Sequence, residues 1–155
     1  MKDKAYVGGK NVSNTGGKIV DFLVKNRLTQ NAALIEIKTP GTPLSGPKYR
    51  GVYNVSAEVS GALLQILDYK RSLEQHYQSL SLSDDQRFHS FDPRCVVIIG
   101  RVSSLNDDEI ISFELFRNQL ANAQIISFDE LFEKTRKLVA ALEAPPAVDD
   151  DEIAF

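Results

Sequence analysis

The segment Leu34-Ile35-Glu36-Ile37-Lys38 sets a carboxylate and an ammonium two positions apart inside an apolar run. In a strand, residues two apart share a face, so Glu36 and Lys38 point one way and Ile35 and Ile37 the other. The preceding Ala32, Ala33 and Leu34 are apolar on both faces, which puts the segment at the centre of a sheet. Charges there are costly unless they pair or bind something. Asp21 poses the same problem, because it interrupts Ile19-Val20-Asp21-Phe22-Leu23-Val24 in what reads as the neighbouring strand. Two carboxylates on adjacent strands can converge on one hard cation, and Mg²⁺ (or Mn²⁺) accepts one or two carboxylates together with backbone oxygens and waters. The Ile37 carbonyl is a candidate third ligand. Lys38 would then face the phosphate or the attacking water. This set suits hydrolysis of a phosphodiester, with the metal as Lewis acid and the lysine stabilising charge.

An E-x-K triplet is common by itself, and the plainer account is an ion pair, Glu36–Lys38 or Asp21–Lys38, on an exposed sheet. A decoy also exists. Asp68-Tyr69-Lys70 fits D-x-K, but it falls in a helical stretch, where residues two apart diverge by roughly 200°. Leu34 to Lys38 follows a strand aspartate and ends in Thr39-Pro40, a strand stop. On the next helix Glu58, Ala62, Gln65 and Tyr69 form one stripe at i, i+4, i+7 and i+11. Gln65 and Tyr69 there can orient water, lysine or phosphate, with Glu58 in support. Leu63, Ile66, Leu67 and Leu73 occupy another face and are expected in the core.

The elements that must position these residues follow from pattern. Tyr6-Val7-Gly8-Gly9 reads as a short strand or strand end, and Asn11 to Gly17 as a turn. Lys18–Lys25 and Ala32–Lys38 are strands joined through Asn26–Asn31, a β-hairpin. Pro43 to Asn54 reads as a loop, Ser56 to Ser79 as a long helix, and Ser79 to Pro93 as a polar loop. Cys95 to Gly100 is a short apolar strand, of the kind covered on both faces. Asp107 to Leu120 is a helix and Gln124 to Phe128 a strand. Ser127-Phe128-Asp129-Glu130 has the capping-box pattern, so the last helix starts there and runs to Glu143. The order β-β-β-α-β-α-β-α implies a mixed α/β sheet with helices on both faces. Residues 1–143 form one domain, and the acidic tail 144–155 is expected to be disordered.

Taken together, Asp21, Glu36-x-Lys38 and Gln65-x-x-x-Tyr69 on the following helix resemble the PD-(D/E)XK nuclease pattern, close to its RecB-like branch. Several longer stretches are similar to the C-terminal nuclease domain of Shedu anti-phage defence proteins. These are Tyr6-Val7-Gly8-Gly9-Lys10, Gly17 to Leu23, Ala33 to Pro40, Glu58 to Ala62, Ile98-Ile99-Gly100 and Phe113 to Arg117. The resemblance covers roughly residues 6 to 142. It implies a restriction-endonuclease-like fold, DNA nicking or cutting with a divalent metal, homo-oligomers and a role in defence. Proteins of this kind carry a helix and a further domain ahead of the nuclease. Neither is in this sequence, so a missing N-terminal regulatory region is expected.

Bulk properties narrow the alternatives. No run of 18 apolar residues spans a membrane, and the polar, Gly-rich Met1–Lys10 is no signal peptide. The lone Cys95 excludes an internal disulfide and reads as a buried thiol, so the cytoplasm is the expected compartment. The net charge of −3 hides an asymmetry, since residues 1–50 hold nine Lys/Arg against three acids. Such a basic third can release counterions from DNA. Lys10, Lys18, Lys48 and Arg50, with Arg101 and Arg117, are the candidate phosphate contacts, and Tyr49 or Tyr53 could stack on a base. His76 and His89 read as surface histidines. Two other functions stay open: a DNA-binding or assembly module of the same fold that lacks part of its site, and cleavage of RNA.

Overall fold

Asn26 accepts from the Leu28 and Thr29 amides through Oδ1, and its own amide donates to the Asn31 carbonyl at 2.9 Å. This asparagine-nucleated turn closes the central hairpin of the sheet. The computed structural model describes residues 2–10, 16–83 and 88–143. Within them the strands are β1 (Lys2–Tyr6), β2 (Ile19–Lys25), β3 (Asn31–Ile37), β4 (Ser45–Tyr49), β5 (Val52–Val55), β6 (His89–Ile98) and β7 (Ala123–Ile126). The helices are α1 (Ala57–Ser83), α2 (Asp107–Arg117) and α3 (Phe128–Glu143). The main sheet runs β1-β2-β3-β6-β7, with β1, β2 and β3 antiparallel and β3, β6 and β7 parallel. It is a mixed α/β sheet flanked by helices, with β3 at its centre as the apolar run required.

Pairing fixes which residues share a face. Leu34 lies opposite Leu23 and Cys95, and Glu36 opposite Val97. That face is buried: α1 lies across β2, β3 and β6, and Val59, Ile66 and Leu73 fill the space with Phe113 from α2. Cys95 is buried in it, and burial pushes its thiol up to about 11, as a structural thiol requires.

Among the described residues the opposite face is only partly covered, which corrects the expectation of helices on both faces. None of Phe22, Val24, Ala33, Ile35, Val96, Ile98 and Ile126 is buried, and Ile37 is 38% exposed. The reason is topological. Both parallel crossovers step in the same direction, β3 to β6 to β7, and right-handed crossovers then set both helices on one side. α3 follows the edge strand and leaves Phe132, Leu138, Val139 and Leu142 exposed. So, among the described residues, a helix covers β6 on one face, not two.

Three further expectations change. The Pro43–Asn54 loop contains a second, two-stranded sheet, β4–β5. The polar loop before Pro93 is shorter than expected, because α1 continues to Ser83 and β6 begins at His89. Proline cannot donate to a ladder, and the strand absorbs it with a bulge. Asp92 takes φ +47°, and pairing shifts between Asn31↔His89 and Ala33↔Arg94. The Asn31 side chain bridges the gap to the Phe91 carbonyl and amide at 2.9 and 3.0 Å. The first strand also lies earlier than Tyr6–Gly9. The capping box at Ser127 forms as expected: Glu130 accepts from the Ser127 amide at 3.0 Å, and Ser127 Oγ accepts from the Glu130 amide at 3.4 Å. The tail 144–155 and most of the Asn11–Gly17 turn lie outside the described residues. Among those described, no helix is long and apolar enough to cross a membrane.

Candidate active site

Glu36 sits on the buried face of the central strand and is only 4% exposed. A carboxylate there must be answered, and Lys38, two residues along the same face, donates to Glu36 Oε1 at 2.8 Å. Lys38 Nζ also donates to Gln65 Oε1 at 3.1 Å, and Gln65 Nε2 donates to the Tyr69 hydroxyl at 2.7 Å. Strand alternation supplies the first pair. The i, i+4 spacing on α1 supplies the second. Together they make one chain, Glu36–Lys38–Gln65–Tyr69, linking the strand end to the helix. The helix is aligned for this by Ser56, whose hydroxyl caps the Val59 amide at 3.0 Å.

Asp21 enters from β2. The ladder to β3 ends at Phe22↔Ile35, and the Asp21 side chain replaces its next rung by accepting from the Ile37 amide at 2.9 Å through Oδ2. Its other oxygen accepts from Lys4 Nζ at 2.5 Å. Partial burial raises the carboxyl's pKa, but the Lys4 and Ile37 hydrogen bonds and the charges of Lys4 and Lys38 outweigh it. The net shift is below the ordinary 3.8, so the group stays ionised. Lys38 thus acts on both carboxylates: it bonds Glu36 and its field reaches Asp21. Both carboxylates offer hard oxygen donors of the kind Mg²⁺ or Mn²⁺ takes. Both Asp21 oxygens already have partners, and Lys4 stands where a cation would approach.

Lys4 was not among the residues singled out from sequence. Reading residues 2–6 as a strand would have found it, because Asp3↔Phe22 and Ala5↔Val20 set Lys4 across from Asp21. Lys4 also takes φ +51°, a strained backbone for a non-glycine residue beside the site. Glu58 is exposed in the first turn of α1 and joins none of these hydrogen bonds, and Ala62 from its stripe is core. The Asp68/Lys70 decoy separates as helix geometry demands: Asp68 pairs with Lys18 and Arg71, Lys70 with Asp92.

A family profile described as "Shedu protein SduA, C-terminal" matches residues 2–132. The chain belongs to the Shedu C-terminal family. It is 45% identical over 151 residues to Shedu protein SduA of Bacillus cereus (strain B4264), across 92% of this chain and 40% of that protein. It therefore spans about two fifths of the curated relative it matches.

The cations proposed for DNA fare unequally in this Shedu domain. Arg117 is spent inside the protein, on Glu114 and Glu130, which removes it as a phosphate contact. Lys18 is tied to Asp68 at 2.5 Å. Lys10 stacks on Tyr6 at 5.1 Å, and Arg101 is exposed. Lys48 and Arg50 project from the β4–β5 hairpin over the rings of Tyr53 and Tyr49. His76 is no surface residue. It lies inside α1, half-buried against Gly8, with Nδ1 2.8 Å from the Ser72 carbonyl. His89 is exposed on β6 and packs on Phe91.

Proposed function

We propose that this Shedu-family chain is a divalent-metal-dependent DNA endonuclease domain, of restriction-endonuclease-like fold, serving anti-phage defence. One observation carries the reading: the buried Glu36 on the central strand, ion-paired to Lys38, with an ionised Asp21 on the adjacent strand under the same lysine. Asp21, Glu36 and the Ile37 carbonyl would hold the cation. When bound, it supplies Lewis acidity towards the phosphate and a hydroxide at neutral pH. Lys38 holds positive charge at the phosphate as negative charge grows there, and Gln65 keeps the Lys38 ammonium in place. Tyr69 fixes the Gln65 amide in turn. On this reading the protein acts as a homo-oligomer in the cytoplasm, under control of a region outside this chain.

One observation favours the alternative, a DNA-binding or assembly module with an incomplete site. Both Asp21 oxygens are engaged, and the partner Lys4 competes with any cation. The test is incubation of supercoiled, linear and single-stranded DNA, and of RNA, with and without Mg²⁺. Nicking of DNA that needs Mg²⁺ and vanishes in Glu36→Ala supports the nuclease. DNA binding with no metal-dependent cleavage of any substrate selects the incomplete module.

A further inference from the structure

The tip of the β4–β5 hairpin is used by neither the core nor the catalytic cluster. Residues 47–52 are all exposed, with Tyr49 59% exposed at the tip. From Ile37 to Ala57 the sequence holds Lys38, Lys48 and Arg50 and no acid. Lys48 lies over the Tyr53 ring at 5.0 Å and Arg50 over the Tyr49 ring at 5.6 Å, so each cation is splinted by an aromatic beside it. Asp108 approaches Lys48 only to 3.8 Å, in an exposed pair. Among the described residues, Arg50 has no ion pair. The two-residue loop is Arg50–Gly51, and its first position takes φ +54°. Glycine is the usual occupant of such a position, yet here the arginine has it. The cost is retained at the tip of an exposed ribbon, where the guanidinium lies over the exposed Tyr49 ring.

The base of the ribbon is fixed at the catalytic end of the sheet. The Ser56 amide donates to the Leu44 carbonyl at 2.9 Å, and the Gly100 amide donates to the Thr39 carbonyl at 3.1 Å. A Cβ on Gly100 would collide with Leu44 and the Thr42 carbonyl, so this corner admits only glycine. The outer strand is braced on α2 by the Tyr53 amide, which donates to Ser112 Oγ at 3.0 Å. A five-residue strand reaches about 17 Å. At roughly 3.4 Å per base step that is about five base pairs from the ribbon's base.

We infer that the β4–β5 hairpin is a duplex reader whose ribbon enters the DNA major groove, with Arg50 at base edges and Lys48 on the flanking backbone. This rests on the reading of the chain as a DNA-cutting domain and names its substrate as B-form duplex. Width decides the groove: the major groove, about 12 Å across, admits a two-stranded ribbon, and the minor groove, about 6 Å, does not. Arginine's fork matches the O6 and N7 acceptors of guanine, which a lysine meets with a single point charge.

The experiment is a fluorescence-anisotropy titration of a short duplex, in EDTA, with the 155-residue chain and its Arg50→Gly and Arg50→Lys variants. Glycine suits the left-handed position, so Arg50→Gly leaves the hairpin at least as stable and its effect is not one of unfolding. It should weaken duplex binding about tenfold and leave the salt slope nearly unchanged, because the slope counts phosphate contacts and Arg50 is placed on base edges. Arg50→Lys should recover only part of the affinity, because lysine lacks the fork. A duplex whose cytosines carry glucosylated 5-hydroxymethyl groups, filling the major groove, should bind poorly. Netropsin in the minor groove should not compete. Unchanged affinity in Arg50→Gly, full recovery by lysine, or competition by netropsin alone would each overturn the assignment. Cleavage with binding independent of Arg50 sinks the hairpin reading only, and Arg50-dependent binding with no cleavage in Mg²⁺ or Mn²⁺ sinks the nuclease reading only.

Discussion

Around Arg117 each charge is answered several times, whereas around Lys38 the answers are few. The Arg117 guanidinium donates through Nε, Nη1 and Nη2 to Glu114 and Glu130, and Glu130 also accepts from the Ser127 amide and hydroxyl. Burial raises the Glu130 carboxyl, but the Arg117 and Ser127 hydrogen bonds prevail and bring it down to about 2. That cluster locks the end of α2 to the start of α3. Lys38 holds one Glu36 oxygen and one amide oxygen, and its side chain is 32% exposed. The two clusters have similar composition. Saturation fits a structural role for the one around Arg117, and spare capacity on a buried strand is what the site proposed around Lys38 rests on.

Five substitutions would break or sharpen this contrast. The largest effect is expected at Glu36→Gln, which keeps the shape and an acceptor for Lys38 but removes the charge that holds a cation. Nicking of supercoiled plasmid should fall about a thousandfold, as loss of several kcal/mol of metal-derived stabilisation requires, while gel-shift affinity for DNA is unchanged or tighter. Next is Arg117→Met. It should cost on the order of 2 kcal/mol, roughly 5 °C in Tm, and leave the nicking rate of the folded protein unchanged. The Glu130 contribution has a definite pH dependence. Its folded pKa lies below the ordinary 4.5, so its stabilisation is complete above that value and is lost as pH falls through about 2. The Tm difference between wild type and Glu130→Gln should therefore shrink below about pH 4.5. Gln65→Ala should slow nicking about tenfold, because it releases a positioning contact and no metal ligand. The smallest effect is expected at Lys4→Ala. It frees one Asp21 oxygen and should tighten Mg²⁺ binding a few-fold, measured by calorimetry.

Much of the architecture was legible because hydrophobic period and turn residues carry it: the β2–β3 hairpin, the long α1 and the capping box at Ser127. The Glu36–Lys38–Gln65–Tyr69 chain was legible for the same reason, since strand period two and helix period four place those side chains by arithmetic. Lys4 was not, because its approach to Asp21 depends on the β1–β2 register. The saturation of Arg117 was hidden likewise, since Glu130 comes from the next helix, across a strand. The β4–β5 ribbon was disguised by Gly46 and Pro47, which read as loop but sit at a register shift of a short hairpin. The partly covered sheet face follows from crossover direction, which residue pattern does not encode.

The central claim is that Asp21 and Glu36 together hold a catalytic cation beside Lys38. Its most direct test is a Mn²⁺ titration, by calorimetry, of the wild-type chain and of its Asp21→Asn and Glu36→Gln variants. The account predicts Mn²⁺ binding in the wild type that either substitution abolishes, with the variants folded by circular dichroism. Equal Mn²⁺ binding by all three proteins would contradict it.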